Sequence, residues 1–416
     1  MLRLLFRSSF GKSLIVIWFA HMVMDFFTGI WPIYKTLAQI DLAKAGLIAG
    51  ISGFFGEILQ LGFGYFSDKG YRKKILLLGL ILSSFILWIT FTTSFQSCFI
   101  LLLLLMMGSG AFHPAGVGYC GSFSKDHKGK CILFFSSGGA LGLGISQITF
   151  TKLFHSFNGH ALILFIPVIL TLLVVAIHKF PETCSISGTF NKNNFLAPFK
   201  TNWKRLSLLY FTQLSCYLVG AAFIFLLPDL MIAKTSNTWL IMGGAHLSFI
   251  LGSAIALPFV GFLCDKYGQK KILPFFIVGT FCLFYVLLNT STLSIPILII
   301  LLFSLGAFFQ SINPIIVSWG NKIVPDSPST VSGLLMGCAW CFTSFGPACA
   351  GLLCKRFAET AIVSTLNCMG FLLIFSLLFS LMIRENESEE LCILDVLEKN
   401  ESETIPDSSI ADDITP

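Results

Sequence analysis

GYFSDKGYRKKIL at residues 64–76 returns as GFLCDKYGQKKIL at residues 261–273. Gly64 and Gly261 lie 197 positions apart, and so do Asp68 and Asp265, so the two copies are in register. Each copy follows a long apolar run and leads into another. A Gly-x-x-x-Asp-basic loop repeated between hydrophobic runs reads as an internal duplication: two similar halves, each a bundle of membrane helices.

Working outward, 55% of the residues are hydrophobic and only 12% are charged. Soluble globular chains carry roughly twice that charged fraction. A helix needs about 20 apolar residues to cross a bilayer. Twelve runs meet that measure, near 13–35, 44–67, 73–93, 96–120, 129–153, 159–180, 206–233, 239–264, 271–290, 294–320, 329–354 and 360–384. Lipid offers the backbone no hydrogen-bond partner, so the runs are expected to be helices. The expected organisation is all-α: a six-helix bundle over 1–180, a central loop over 181–205, a second six-helix bundle over 206–384, and an acidic tail over 385–416. The tail opens with Glu385, Glu387, Glu389 and Glu390, has little to pack, and is read as disordered. The apolar run near the N-terminus follows Arg3, Arg7 and Lys12 and carries Asp25, so it is read as a retained first span and not as a cleaved leader.

With these runs, 19 Lys and Arg residues fall on the side of the duplicated loops and six on the other. The excess places both termini and the central loop on the cytoplasmic face of an inner cell membrane. The net charge of +6 is therefore a mark of topology, and no nucleic-acid partner is expected. The thirteen cysteines lie mostly inside the runs. Cys338 and Cys341 form a C-x-x-C in the eleventh run, read as small apolar packing. No disulfide framework, metal or cofactor is expected, and the lipid bilayer is the obvious partner of a chain read as a monomer.

The chemistry-bearing residues are few. Gly64 and Gly261 are expected to let a helix end approach a neighbour closely. Asp68 and Asp265 are expected to accept hydrogen bonds from a helix N-terminus at the membrane face. The surrounding Lys69, Arg72, Lys73, Lys266, Gly268 and Lys270 complete two gating loops. An ionisable group deep in the bilayer costs several kcal/mol, so it usually has a task. Asp25 lies near the middle of the first run and His21 one helical turn before it, on the same face. Glu57 lies near the middle of the second run, on a stripe formed with Gly50, Gly53, Gln60 and Gly64. His113 and Pro114 interrupt the fourth run. Asp25, His21, Glu57 and His113 are the candidate proton-coupling group. The second half is polar but mostly neutral. Gln213 and Tyr217 line up on the seventh run, His246 lies on the eighth, and Gln310 and Asn313 share a face of the tenth. Asn313-Pro314 stands 200 positions after His113-Pro114. These residues, with Trp18 and Trp340, are the candidate substrate contacts. Trp31 is a further candidate cavity residue, Trp203 and Trp239 read as interfacial anchors, and Asp229 as an interface residue near the outer end of the seventh run.

The loops resemble the signature loop of the major facilitator superfamily, Gly-x-Leu-x-Asp-Arg-x-Gly-Arg-Lys. The second copy matches at Gly261, Asp265, Lys266, Gly268 and Lys270. The first has its glycine at Gly70, with Tyr71 where the pattern has glycine. Phe112-His113-Pro114, the glycines Gly138, Gly139, Gly142 and Gly144, and the His21, Asp25, Pro32 spacing are similar to the fosmidomycin resistance protein branch. That resemblance implies drug export in exchange for protons. The Gly-Pro pair common in the fifth span of such antiporters stands instead in the eleventh run, at Gly346-Pro347.

The expected function is secondary transport of a small drug-like or anionic organic solute by alternating access, driven by protons. Uptake of an organic acid or sugar by symport is the alternative, and a non-transporting receptor or scaffold is the alternative of another class. An enzyme is not expected: the chain has no P-loop, no zinc spacing and no nucleophile elbow.

Overall fold

The structure is a computed structural model and describes residues 9–123, 128–180, 197–291, 293–325, 331–357 and 361–384. The acidic tail, much of the central loop, and Arg3, Arg7, Lys125 and Lys192 of the charge reading lie outside the described residues. The described residues are almost wholly helical. Ten helices among them are long and apolar enough to cross a membrane. One of these, Leu42–Phe91, breaks at Gly70 and supplies two spans, and a shorter apolar helix, Leu162–Ile177, stands at the place of the sixth. Counted in this way the described residues give twelve spans, as the runs predict.

The first span is Ser9–Thr28, continued by Ile30–Leu37; the second is Leu42–Phe66; the third begins as Arg72–Ser84. The fourth is Phe95–Phe123 and the fifth Lys128–Ser156. The seventh is Ala197–Lys234, so helix begins inside the stretch expected to be central loop. Polarity alone marks that stretch as a loop, but Trp203, Lys204 and their neighbours continue the helix below the apolar segment. The eighth closes as Ala245–Tyr267, and the ninth and tenth are Gln269–Asn289 and Ile295–Ile323. The eleventh is interrupted at 344–345 before Gly346–Phe357, and the twelfth is Ala361–Gly370 with Leu372–Leu381.

Without a hydrophobic drive between helices in lipid, close packing at small residues holds the bundle. The two halves repeat the same contacts. A Cβ on Gly56 would press on the backbone of Met106, and a Cβ on Gly252 on the backbone of Phe303. These are the second-to-fourth and eighth-to-tenth contacts, related by the repeat. Similarly, Gly142 lies against the carbonyl of Met22, and Gly346 against that of Leu218. The duplication visible in two loops therefore extends through the helix packing.

Among the described residues the halves meet toward one end. A Cβ on Gly46 would meet the backbone of Pro347, one on Gly351 the carbonyl of Leu42, and one on Gly53 the Ser344 hydroxyl. Phe54 packs on Phe345 with ring centroids 5.4 Å apart. On the other flank Gly243 packs on Gln147 and Ile148. All these contacts lie in the parts of the helices remote from the basic loops. Toward the basic end, a Cβ on Gly64 would meet only Pro114 of its own half, at 3.6 Å, and one on Gly261, Gly333 or Gly337 would meet nothing within 4 Å. The halves are thus closed at one end and apart at the end that carries the duplicated loops.

Two expectations for those loops are corrected here. Gly64 and Gly261 make no close helix approach in this conformation, because the opposing half stands away from them. Asp68 and Asp265 do not cap the following helices, which have no side-chain cap bond. Asp68 is 78% exposed and pairs with Arg72 at 3.3 Å, and Asp265 is exposed. The loop turns themselves are built on glycine in both copies. Gly70 has φ +95° and Gly268 φ +79°, a region that glycine enters without steric penalty. The first copy therefore has its turn glycine one residue closer to the aspartate.

Candidate functional site

The strongest constellation lies at mid-depth in the first half. His21 and Asp25 sit one turn apart on the first span, with His21 Nε2 3.1 Å from Asp25 Oδ2. The fourth span brings His113 to the other carboxylate oxygen: His113 Nε2 is 3.2 Å from Asp25 Oδ1. The two Nε2 atoms are themselves 3.2 Å apart. Each ring is oriented by its second nitrogen. His21 Nδ1 donates to the Phe135 carbonyl at 2.8 Å, and His113 Nδ1 to the Ser109 carbonyl at 2.9 Å. A carbonyl only accepts, so this network assigns the Nδ1 proton in both rings. When both imidazoles are neutral, their Nε2 lone pairs converge with the carboxylate on one point. Such a centre takes up a proton, which either ring can pass to the carboxylate without moving its backbone. The three side chains are also the group among the described residues with the ligand types and proximity for a cation, their ligand atoms lying within 4.8 Å.

The fifth span makes room for this cluster. A Cβ on Gly139 would collide with Asp25 Oδ2 and with the His21 ring. Phe135, one turn earlier, stacks on His21 at 3.9 Å. The glycine-rich run is therefore a packing surface for the first span and, at Gly139, the wall of the site.

Glu57 is half-buried on the second span. Gln60 Nε2 donates to its Oε2 at 2.5 Å. It lies within electrostatic reach of His113 in its own half and of Cys341 in the other. It thus faces the seam between the halves, where the closed and separated regions meet.

The second-half candidates divide. Tyr217 and Gln310 are half-buried and come together, the phenol hydroxyl 3.3 Å from Gln310 Oε1. Gln213 is fully buried and, among the described residues, both atoms of its amide lack a partner; Asn313 Nδ2 lacks one too. His246 is fully buried and its Nε2 approaches the Leu143 carbonyl at 3.1 Å, which makes it a strut between the halves, away from the open side. Trp18 is half-buried and its indole donates to Ser137 Oγ at 2.9 Å; Trp340 is half-buried on the eleventh span. Trp31 does not line a cavity: it is buried and donates to the Ala45 carbonyl at 3.3 Å, wedged between the first two spans. Trp203 and Trp239 are exposed, as interfacial anchors are.

In the basic loops, Lys73 Nζ ties to the carbonyls of Ala176 and His178 at 2.7 and 2.9 Å. Lys69 lies 5.4 Å over Tyr65 and Lys266 5.1 Å over Tyr267, while Lys270 is exposed.

One ion pair across the halves escapes sequence reading. Lys35, fully buried, pairs with Asp229 across the halves at the closed end. Thr36 Oγ1 donates to the same carboxylate at 3.0 Å, and Phe225 lies under the ammonium at 4.7 Å. Asp229 is legible as an interface residue, but Lys35 counts only as one charge on the outer side until the fold pairs it.

Twelve spans among the described residues, in two repeated halves with ionisable groups at mid-depth and the halves apart at one end, define a multi-pass membrane transporter. The family described as Major Facilitator Superfamily matches residues 13–228 and 206–396, and this chain belongs to that family of transporters, which are not enzymes. Among curated relatives, an uncharacterised MFS-type transporter of Bacillus subtilis, YfnC, is 22% identical over 91% of this chain and 94% of its own length. The multidrug resistance protein MdtG of Yersinia enterocolitica is 38% identical over a short stretch, 18% of this chain and 20% of MdtG. Among solved structures, a bacterial homologue of the human lysosomal transporter Spinster, in an inward-facing and unoccupied conformation, aligns with a TM-score of 0.73. It is 14% identical, covering 91% of this chain and 97% of that one, and shows the shared fold.

Proposed function

We propose that this protein is a proton-coupled secondary transporter that exports a small drug-like organic solute by alternating access. The observation that carries the coupling is the meeting of His21 Nε2, His113 Nε2 and the Asp25 carboxylate at 3.1 to 3.2 Å, with both Nδ1 positions already committed. In that geometry the cluster is a proton seat at mid-membrane. Glu57, beside it on the seam, links the seat to the solute. Substrate contacts come from both sides of the seam: Trp18 in the first half, and Tyr217, Gln310, Asn313, Gln213 and Trp340 in the second. His246 acts on the closed end instead.

The excess of Lys and Arg at the open end orients it to the cytoplasm, with both termini on that side of the inner membrane. The conformation described is then inward-facing, with Lys35 and Asp229 as the outer lock. Export is supported by the Phe112-His113-Pro114 and glycine elements of the sequence and by the similarity to MdtG. The test is accumulation of fluorescent and labelled drugs in cells with and without the protein, repeated with the proton gradient collapsed. Lower accumulation that disappears on collapse supports export; higher accumulation makes the protein an importer; accumulation that ignores the gradient removes proton coupling.

A further inference from the structure

We infer that the solute carries a protonated amine, held by Glu57, on a hydrogen-bonding body read by Gln213, Gln310 and Asn313. The inference rests on the transport reading above and names the chemical class that its site accepts.

The first observation is the charge placed at mid-depth. Two carboxylates lie at mid-depth, Asp25 and Glu57. Asp25 is shared by two imidazoles. Glu57 has one side-chain hydrogen bond, from the neutral amide of Gln60, and no Lys or Arg is paired with it among the described residues. His113, the basic side chain within electrostatic reach of Glu57, is itself held by Asp25, and the basic groups nearer the two ends are engaged as well. Lys35 is held by Asp229 at the closed end, and Arg72 pairs with Asp68 at the basic end. A carboxylate at bilayer depth without a cation is costly. A solute ammonium completes it, whereas a phosphonate or carboxylate would add a second uncompensated charge.

The second observation is independent of charge. Among the described residues, Gln213 is fully buried with both its amide oxygen and its amide nitrogen unpartnered, and the Asn313 nitrogen is unpartnered on the tenth span. Buried polar atoms are nearly always satisfied, so unpaired amides on the seventh and tenth spans suit a partner that arrives. Tyr217, one turn after Gln213 on the seventh span, meets Gln310, about one turn before Asn313 on the tenth. Donors and acceptors of this kind match hydroxyl or phenol groups.

The test uses the full chain in detergent and two charge-matched probe series. One is tyramine, tyrosol and 4-hydroxyphenylacetate; the other is glucamine, sorbitol and gluconate. The amine of at least one series is expected to raise the melting temperature by several degrees, the alcohol less, and the acid not at all. Glu57→Gln is expected to weaken the amine at least tenfold and leave the alcohol unchanged; Glu57→Asp is expected to keep part of the preference. An acid that stabilises as well as its amine overturns the inference. So do amines that act equally on Glu57→Gln, or amines that never stabilise the protein. In proteoliposomes, amines that bind through Glu57 but move no protons would leave this inference standing and remove the coupling reading. Protons moved by gluconate or 4-hydroxyphenylacetate would do the reverse.

Discussion

The Nε2 atoms of His21 and His113 stand 3.2 Å apart, and each reaches a different oxygen of Asp25. Two rings from different spans are aimed at one carboxylate because backbone carbonyls of Phe135 and Ser109 hold their other nitrogens. Asp25→Asn keeps the size of the side chain and removes the charge. It is expected to reduce proton-coupled transport at least a hundredfold while the protein still folds. Transport in proteoliposomes with an imposed pH gradient, set beside circular dichroism of the same preparation, checks it.

Gly139 is predicted to tolerate no side chain. A Cβ there enters the space of Asp25 Oδ2 and His21 Cε1. Overpacking a tight site costs about 1–3 kcal/mol, and here it also displaces the proposed proton seat. Gly139→Val should lose transport entirely and lower the melting temperature. Gly144→Ala, whose Cβ meets Ile250 and Leu247 only at 3.4 Å, should do neither to the same degree. Parallel melting and transport curves distinguish the two.

Lys35 and Asp229 should behave as a lock. Removing one member of a buried ion pair leaves the other charge uncompensated, at a cost of roughly 3–5 kcal/mol to the state that buries it. Asp229→Asn is therefore expected to disfavour the closed end. Spin labels at positions 44 and 355, both exposed at that end, should show a longer and broader distance distribution. The exchange Lys35→Asp with Asp229→Lys should restore much of the short distance.

The loop turns give a purely local prediction. Gly70 has φ +95° and open space around its Cα. Gly70→Ala should destabilise by about 1–2 kcal/mol, the cost of placing an L side chain in the left-handed region. Tyr71→Gly should not recover it, because the turn residue is at 70. Thermal melting of the three proteins measures this.

The duplicated loops and twelve apolar runs make the fold legible in the sequence, because lipid leaves helices as the backbone's way to satisfy itself and repeats carry their spacing openly. His21 and Asp25 are legible as a pair, since a four-residue spacing puts them on one helical face. His113 is grouped with them in the sequence as an ionisable residue of a span, but its contact with both is not readable there, because 92 residues separate it from His21 and only packing of the first and fourth spans joins them. Lys35 is hidden for the same reason: its partner lies 194 residues on, in the other half. Trp31 and His246 read as cavity residues in the sequence, yet one is wedged between spans and the other bridges the halves away from the open side. Polarity and aromaticity suggest their helical faces, and neither property tells a bundle interior from a seam.

The proton seat proposed at Asp25, His21 and His113 is what drives solute movement in this reading. It is tested most directly by solute-dependent proton flux in proteoliposomes loaded with a pH-sensitive dye, using whichever probe stabilises the purified protein. Wild-type protein is predicted to move protons when the probe is added, and Asp25→Asn to bind the probe without moving them. Equal proton movement by the two proteins would contradict the account.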